Sequence, residues 1–573
     1  MKIKHLFGLA VIAAMSASCS SNEDLGTAGP GTGTNETGVG YATFTINLPS
    51  VSGTRAADAG GAEMDEGTAK EYAVKSATAL IFQKYGSDEG SCKFVESVDL
   101  PTAAADWTDD TTVGITTTKK LVAKLTNVDT KNQYYVLVLL NNNKTGGGVK
   151  VALPTVGQSY NEWNSQILTP SVDDLAADND FYMANAPLKG TASPTTLVTI
   201  NKENIYSSKE KAEAGTSAAT VYVERGVAKM SVTDPTTKTV IDKATNTPTK
   251  STVEFNNWAL DITNRKTYAV HNIDDLSTDF PDIWTTPRFI GTNSRVYWGK
   301  DPNYDLDHLN TGKEAEREAE FNFIKATSGI KKTFTESAYC LENTFNLANM
   351  YQGQTTRVIF KATYTPKDDV GNPLAEQDGT FYTIGNMTNI LNEAALKTAV
   401  NTAATSVLPG CTVDYTNLKT EGSHVITLAD IKDSTDKTLV ADKDYSGKTG
   451  TQIVKEINDK LGLIDGAGHA EAMVGINTYA QGVTYYIARV KHFGSLTPWN
   501  SGESYGTDNL KYLGRYGMLR NNWYELTVGN VYGPGYPGVP PVDPNQPDDE
   551  NEKYLSVSVK ILSWAKRSDT VDL

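Results

Sequence analysis

The sequence predicts an all-β chain with a few short helices, and three observations carry that expectation. Thr and Tyr suit half-buried strands and are plentiful, with 28 Tyr among 573 residues. Short runs of alternating apolar and polar residues recur along the chain, separated by stretches rich in Pro, Gly, Asn and Thr. No period of about twenty to fifty residues repeats, which argues against a solenoid or propeller. The chain is too long for one core, so two to four domains are expected. The formal net charge of −16 argues against nucleic acid, which calls for basic stripes.

The N-terminus reads first. Lys2 and Lys4 precede an apolar run, Leu6 to Met15, and small residues then lead to Cys19. That run is too short to span a bilayer and reads as a cleaved export signal over residues 1–18. A cysteine at this point resembles a lipobox, in which Cys19 would become a lipidated N-terminus; the alternative is a plain secretory signal with an incidental cysteine. Several acyl chains at about 0.8 kcal/mol per buried methylene would hold such a domain on a membrane. No later segment has the apolar length of a membrane span.

Residues 20–38 are Ser, Gly, Thr and Asn and read as a flexible tether. From Ala42 to Leu48 the residues Ala42, Phe44, Ile46 and Leu48 share one face, opposite Thr43, Thr45 and Asn47, which makes a half-buried strand stopped by Pro49. Arg55 is the lone basic residue of the small, polar loop that follows, an open site for trypsin-like cleavage before Ala56. Strands are expected at Val74–Phe82, Leu121–Leu125 and Tyr134–Leu140, the last apolar on both faces and therefore central. Val221–Val232 gives another long strand, and Asp234–Ser251 is taken as a domain boundary. This divides the chain into a tether with a removable strand (19–55), a first β domain (56–235) and a second (236–573).

The second half opens with a strand from Val253 to Ile262. Helices are expected at Glu314–Lys325, Asn389–Ala403 and Thr451–Leu461, and strands at Val483–Val490 and Trp523–Val531. A Pro/Gly linker, Gly533–Asp549, is read as freeing the final strand, at about 553–566, in which Leu555, Val557, Val559 and Ile561 share one face. A detachable strand at each end, the first ahead of a cleavable arginine, matches the two halves of donor-strand exchange. The alternative is that both are ordinary edge strands.

Several segments together resemble the fimbrillins of Bacteroidetes donor-strand (type V) pili, most of all the shaft subunit of the minor fimbria. They are the lipobox at Cys19, the Arg55-Ala56 loop, Val223–Lys229, Tyr297–Tyr304, Tyr339–Thr344, Val490–Gly494 and Arg520–Val528. The resemblance implies two transthyretin-like β-sandwich domains, lipoprotein export to the outer membrane and trimming by an Arg-specific protease. It also implies homopolymerisation with anchor and tip subunits, and adhesion to host or bacterial surface receptors. The stretch 366–444 does not match closely.

Enzyme chemistry finds little support. Asp301-Pro302-Asn303-Tyr304-Asp305 imitates a calcium loop, but Leu306 and Gly312 stand where glycine and a bidentate glutamate belong. Gly447-Lys448-Thr449 lacks the first glycine of a phosphate loop. Six His are scattered, and His492 reads as a packed residue. No G-x-S-x-G elbow appears, and neither a metal nor a cofactor is expected. Cys340 and Cys411 either pair or stay as buried thiols. The competing reading is a surface-anchored glycan-binding lipoprotein of a nutrient-uptake system, with Trp107, Trp163 or Trp284 as stacking platforms.

Overall fold

Two large sheets organise the computed structural model, which describes residues 33–35, 37–48, 67–102, 108–109, 117–129, 131–144, 146–189, 194–281, 296, 298–385, 389–463, 474–493, 496, 510–548 and 555–563. The described strands far outnumber the helices, so the chain is mostly β. Cys19, Arg55, Ala56, Trp107 and Trp284 lie outside the described residues.

The first, ten-stranded sheet contains β1 (Gly40–Asn47), β2 (Ala77–Gln83), β3 (Lys93–Leu100), β4 (Thr117–Leu125), β5 (Tyr134–Leu140), β6 (Met183–Asn185) and β7 (Ala219–Arg225). Its principal order is β3-β2-β5-β6-β7-β1-β4. The doubly apolar β5 is central as expected, with Val136 to Leu140 fully buried between β2 on one edge and β6 and Val198–Ile200 on the other.

The second, eight-stranded sheet contains β8 (Ala228–Val232), β9 (Lys238–Asp242), β10 (Thr247–Asp261), β11 (Ala338–Cys340), β12 (Arg357–Thr365), β16 (Val483–Arg489), β17 (Asn522–Val531) and β18 (Leu555–Ser563). Its path runs β11-β8-β17-β9-β10-β12-β16, with β18 beside β17. Within the stretch 234–251, β9 and the start of β10 form a hairpin inside this sheet. Sheet membership changes at Gly226-Val227, between β7 and β8, where a long run that reads as one strand turns from one sheet into the other.

Strands β12 and β16 are antiparallel neighbours, from Arg357↔Arg489 to Thr363↔Val483, yet 366–482 separates them. That insertion builds its own core. The small sheet β13 (Phe381–Ile384), β15 (Ile476–Tyr479) and β14 (Gly422–His424) packs with α2 (Glu393–Val407) and α3 (Gly450–Leu461). Leu396, Val400 and Ala404 on α2, and Ile453, Ile457 and Leu461 on α3, fall at helical spacing and are buried together. Asn392 caps α2 through Ala395 N, so that helix starts later than expected. Thr449 caps α3 in a capping box with Gln452, which gives the Gly447-Lys448-Thr449 stretch a structural role.

Among the other expected helices, 314–325 is helical only to Glu320. The chain then extends so that Phe321 can bury opposite Asn264. The calcium-like loop disperses: Asp301 and Asn303 turn inward while Asp305 and Asp307 are exposed. The Asp301 carboxylate accepts from Thr344 N and Asn303 N. His492 is buried against Tyr524 Oη at 2.8 Å. Cys92, Cys340 and Cys411 are free, buried thiols.

Candidate assembly site

The slot that holds β1 is formed on both sides by backbone. Antiparallel β4 pairs with its whole length, from Gly40↔Leu125 to Asn47↔Thr118. On the opposite edge, parallel β7 covers Phe44↔Ala219 to Asn47↔Tyr222, and Ile205–Tyr206 covers Ala42 and Tyr41. Every strand group in such a position must bond in the ladder, because none can reach water. Ala42, Phe44 and Ile46 are fully buried and Leu48 nearly so.

The polar face is also covered, contrary to the half-buried strand expected. The short helix Lys209–Ala214 and its flanks lie over it. Thr43 Oγ1 donates to Ala212 O at 2.7 Å, Thr45 Oγ1 meets Ser217 Oγ at 2.7 Å, and Thr118 Oγ1 donates to Asn47 Oδ1 at 2.8 Å. Short side chains with hydroxyls or amides tolerate such cover because each finds a local partner. At the entry the slot narrows: a Cβ on Gly40 would lie 2.7 Å from Ile205 Cγ2. Upstream, Gly33 N donates to Ile205 O at 2.8 Å, so the tether is bonded to the first sheet before β1 begins.

The next described helix in the chain is α1 (Ala69–Tyr72). Glu71 there pairs with Lys229 at 2.7 Å and accepts from Tyr339 Oη at 2.6 Å, while its carbonyl accepts from Arg225 Nε. Burial alone would raise the Glu71 carboxyl; the Lys229 ammonium, with the Tyr339 hydroxyl and Thr68 amide, outweighs it and holds the carboxyl below its usual range. Arg225 N donates to Asn521 Oδ1, His271 Nδ1 meets Glu224 at 2.8 Å, and Arg520 holds Glu342 at 3.1 Å. Strands of both sheets thus meet in one buried polar network.

At the other end β18 runs antiparallel to β17, from Asn522↔Ser563 to Val531↔Leu555. Among the described residues β17 is its only ladder partner. The preceding Pro/Gly segment is not a free spacer. Tyr536 exchanges backbone bonds with Tyr485, Arg357 donates to Pro540 O and Pro541 O, Gln352 N to Gln546 O, and Thr355 Oγ1 to Asp548 Oδ1. Gly535, with φ +69°, lies so close to Tyr485 O that no Cβ fits. The residues chosen for turn propensity therefore make a strap fixed to the second sheet. No sequence signal marks this, because its partners are groups far away in the chain.

Trp163 is buried, with Nε1 donating to Ala152 O, and so presents no stacking platform. No group of three or more His, Cys, Asp or Glu among the described residues could hold a metal ion.

Residues 477–570 match the family model described as major fimbrial subunit protein type IV, fimbrillin, C-terminal. No curated protein matches the chain. A putative cell adhesion protein from Parabacteroides distasonis ATCC 8503 is 10% identical, with TM-score 0.33, covering 91% of this chain and 99% of its own. The tip fimbrial protein Mfa3 from Porphyromonas gingivalis, with a C-terminal truncation, is 11% identical with TM-score 0.31, over 91% and 100%. A fimbrial assembly protein from Parabacteroides distasonis ATCC 8503 is 11% identical with TM-score 0.27, over 61% and 93%.

Proposed function

We propose that this chain, a fimbrillin by its C-terminal region, is the polymerising shaft subunit of its surface fimbria. As a fimbrial subunit with an adhesive role it is a structural protein, not an enzyme. In this reading Cys19 is lipidated for export to the outer membrane, and an Arg-specific protease cuts between Arg55 and Ala56. The cut separates Phe44, Ile46 and Leu48 from the mature chain. The emptied slot is then filled by the C-terminal strand of a neighbour, through Leu555, Val557, Val559 and Ile561.

The observation that carries the reading is the place of β1. It is bonded on both edges in mid-sheet, yet in sequence it precedes Arg55 while every other strand of its sheet follows it. A strand so deep in a core is costly to lose, so its removal leaves an acceptor that only another strand can satisfy. Substituting Arg55→Ala should leave an exported, folded monomer that forms no fibres in electron micrographs. Normal fibres from that variant sink the maturation step. Cys19→Ala should abolish labelling by radioactive palmitate and leave precursor inside the cell envelope; undiminished surface fibre overturns the lipid assignment.

A further inference from the structure

Laid over β1 in the same direction, the C-terminal strand repeats it position by position. Tyr41-Ala42-Thr43-Phe44-Thr45-Ile46-Asn47-Leu48 stands against Tyr554-Leu555-Ser556-Val557-Ser558-Val559-Lys560-Ile561. Tyrosine meets tyrosine, the four apolar positions meet Leu555, Val557, Val559 and Ile561, and both threonines meet serines. Alternation alone accounts for the apolar match, since any strand with one covered face has it. It does not account for hydroxyls at both hydroxyl positions, or for the shared tyrosine.

The slot has a partner for each of those hydroxyls. Ala212 O accepts from Thr43 Oγ1 at 2.7 Å and from Gly215 N at a longer 3.3 Å, and Ser217 Oγ meets Thr45 Oγ1. Other placements of the incoming strand fail on chemistry. Sliding it by two residues one way puts Lys553 in the place of Ala42, which is fully buried. Sliding it the other way puts Ser563 in the place of Leu48 and Leu555 at Gly40, where a Cβ would lie 2.7 Å from Ile205 Cγ2. Reversing it puts Lys560 in the place of Thr43, buried under the short helix. In the matched register Lys560 instead takes the place of Asn47, the last residue of β1. There its stem can reach past the end of the ladder, and the Thr118 hydroxyl can turn to accept from its ammonium. Lys553 falls at Gly40, so pairing in this register starts at Tyr554.

We propose that the strand of a second copy enters in the direction and register of β1, with Leu555 in the place of Ala42. Ser556 and Ser558 set that register by taking over the bonds of Thr43 and Thr45. The proposal deepens the assembly reading and rests on it. Leu555 is larger than Ala42 and Val557 smaller than Phe44, its neighbour on the same face, so the exchange roughly conserves packed volume. The slot thereby favours this chain's own strand. An apolar strand without hydroxyls at those two positions leaves Ala212 O and Ser217 Oγ short of a partner.

The test is a ladder of cysteines. Full-length precursor carrying Ser556→Cys is mixed with precursor carrying Thr118→Cys, Lys120→Cys, Val122→Cys or Lys124→Cys, and the mixture is cut with an Arg-specific protease and mildly oxidised. These four positions of β4 stand opposite Asn47, Thr45, Thr43 and Tyr41. Boiled, non-reducing gels should show a cross-linked dimer with Val122→Cys alone. A dimer with Lys120→Cys or Lys124→Cys instead marks a slip of two residues, and one with Thr118→Cys a reversed strand; each overturns the proposal and leaves exchange standing. Fibres that cross-link at none of the four overturn it as well. If cut wild-type protein forms no fibres, it is the assembly reading that falls, and this proposal with it. The hydroxyls are read by competition for slots between labelled chains. Ser556→Ala combined with Ser558→Ala should enter fibres about tenfold less than wild type, and the Ser556→Thr, Ser558→Thr pair should enter as wild type does. Circular dichroism of the uncut precursors controls for folding. Equal entry of the alanine pair refutes the role of the two serines.

Discussion

Glu71 and Lys229 lie 158 positions apart in the chain, and their side chains are 3% and 4% exposed where they meet. No local pattern announces such a pair, because its meaning depends on two sheets being brought together first. Removing one partner leaves the other charged and buried, so Lys229→Met should destabilise by about 3–5 kcal/mol, and adding Glu71→Gln should recover part of that. Chemical denaturation measures both; a loss under about 1 kcal/mol for the single change refutes the role. Protons act on the same scale. The Glu71 carboxyl is held below its usual range, so its stabilisation is present at neutral pH and is lost as pH falls through that lowered value. Asp301 is the opposite case: burial first, opposed by the Thr344 and Asn303 amides and reinforced by Glu342, pushes its carboxyl from 3.8 to about 7. Stability from that group is complete below its unfolded value and drains away as pH rises through about 7. The precursor should therefore melt higher near about pH 5.5 than near about pH 8. Asp301→Asn should flatten that slope while costing about 1–3 kcal/mol, since an amide N–H must then face one of two backbone donors. An unchanged slope in that variant assigns the pH dependence elsewhere.

At the level of elements, legibility follows whether a segment's partners are local or distant. The alternation of Ala42, Phe44, Ile46 and Leu48 is a period-two signal that any covered sheet imposes, so β1 was readable, as was β5 from its doubly apolar run. The cover on Thr43 was not, because it comes from a helix more than a hundred residues downstream. Helix α3 was readable from its cap and its apolar stripe, whereas the 314–325 helix was overread because Phe321 gains more by burial than by helicity. The C-terminal strap is the largest misreading. Gly and Pro signal turns, and here the turns hold against Tyr485, Arg357 and Thr355 instead of swinging free. This fixes where release can occur: if β18 leaves in exchange, the strap up to Asp548 stays. Hydrogen exchange should show the Tyr536 and Asp548 amides slow in both monomer and fibre. Fast exchange at both amides in the monomer would show that the strap opens and that the spacer is free after all.

Across the whole molecule, the two ends differ in how they are bonded. The first strand lies in a slot with ladders on both edges, while β18 is laid along β17 alone among the described residues. Moving a strand from a one-sided to a two-sided ladder gains hydrogen bonds and apolar burial together, which supplies a driving force for exchange once β1 is gone. Phe44, Ile46 and Leu48 together stabilise the chain by roughly 5–9 kcal/mol of gross burial, which in the proposed reading would keep the slot closed until a cut at Arg55. Leu555, Val557, Val559 and Ile561 offer a comparable gross burial of about 6–12 kcal/mol, less the cost of ordering the tail. At the Gly40 end of the slot a Cβ would lie 2.7 Å from Ile205 Cγ2, so an incoming strand can carry a side chain there only if Ile205 shifts. Replacing Val557 and Val559 by Asp would place two unpaired charges in that slot, costing far more than the area lost. Because β18 sits at the margin of its own sheet, the same changes should leave the monomer folded. Trimmed protein carrying both changes should therefore fail to donate but still accept, acting as a chain terminator when mixed with wild type. Deletion of residues 553–573 should do the same, read as shortened SDS-resistant ladders and shorter fibres in electron micrographs. Wild-type fibre lengths from the truncated protein would exclude exchange through this end and return β18 to an ordinary strand of its own sheet.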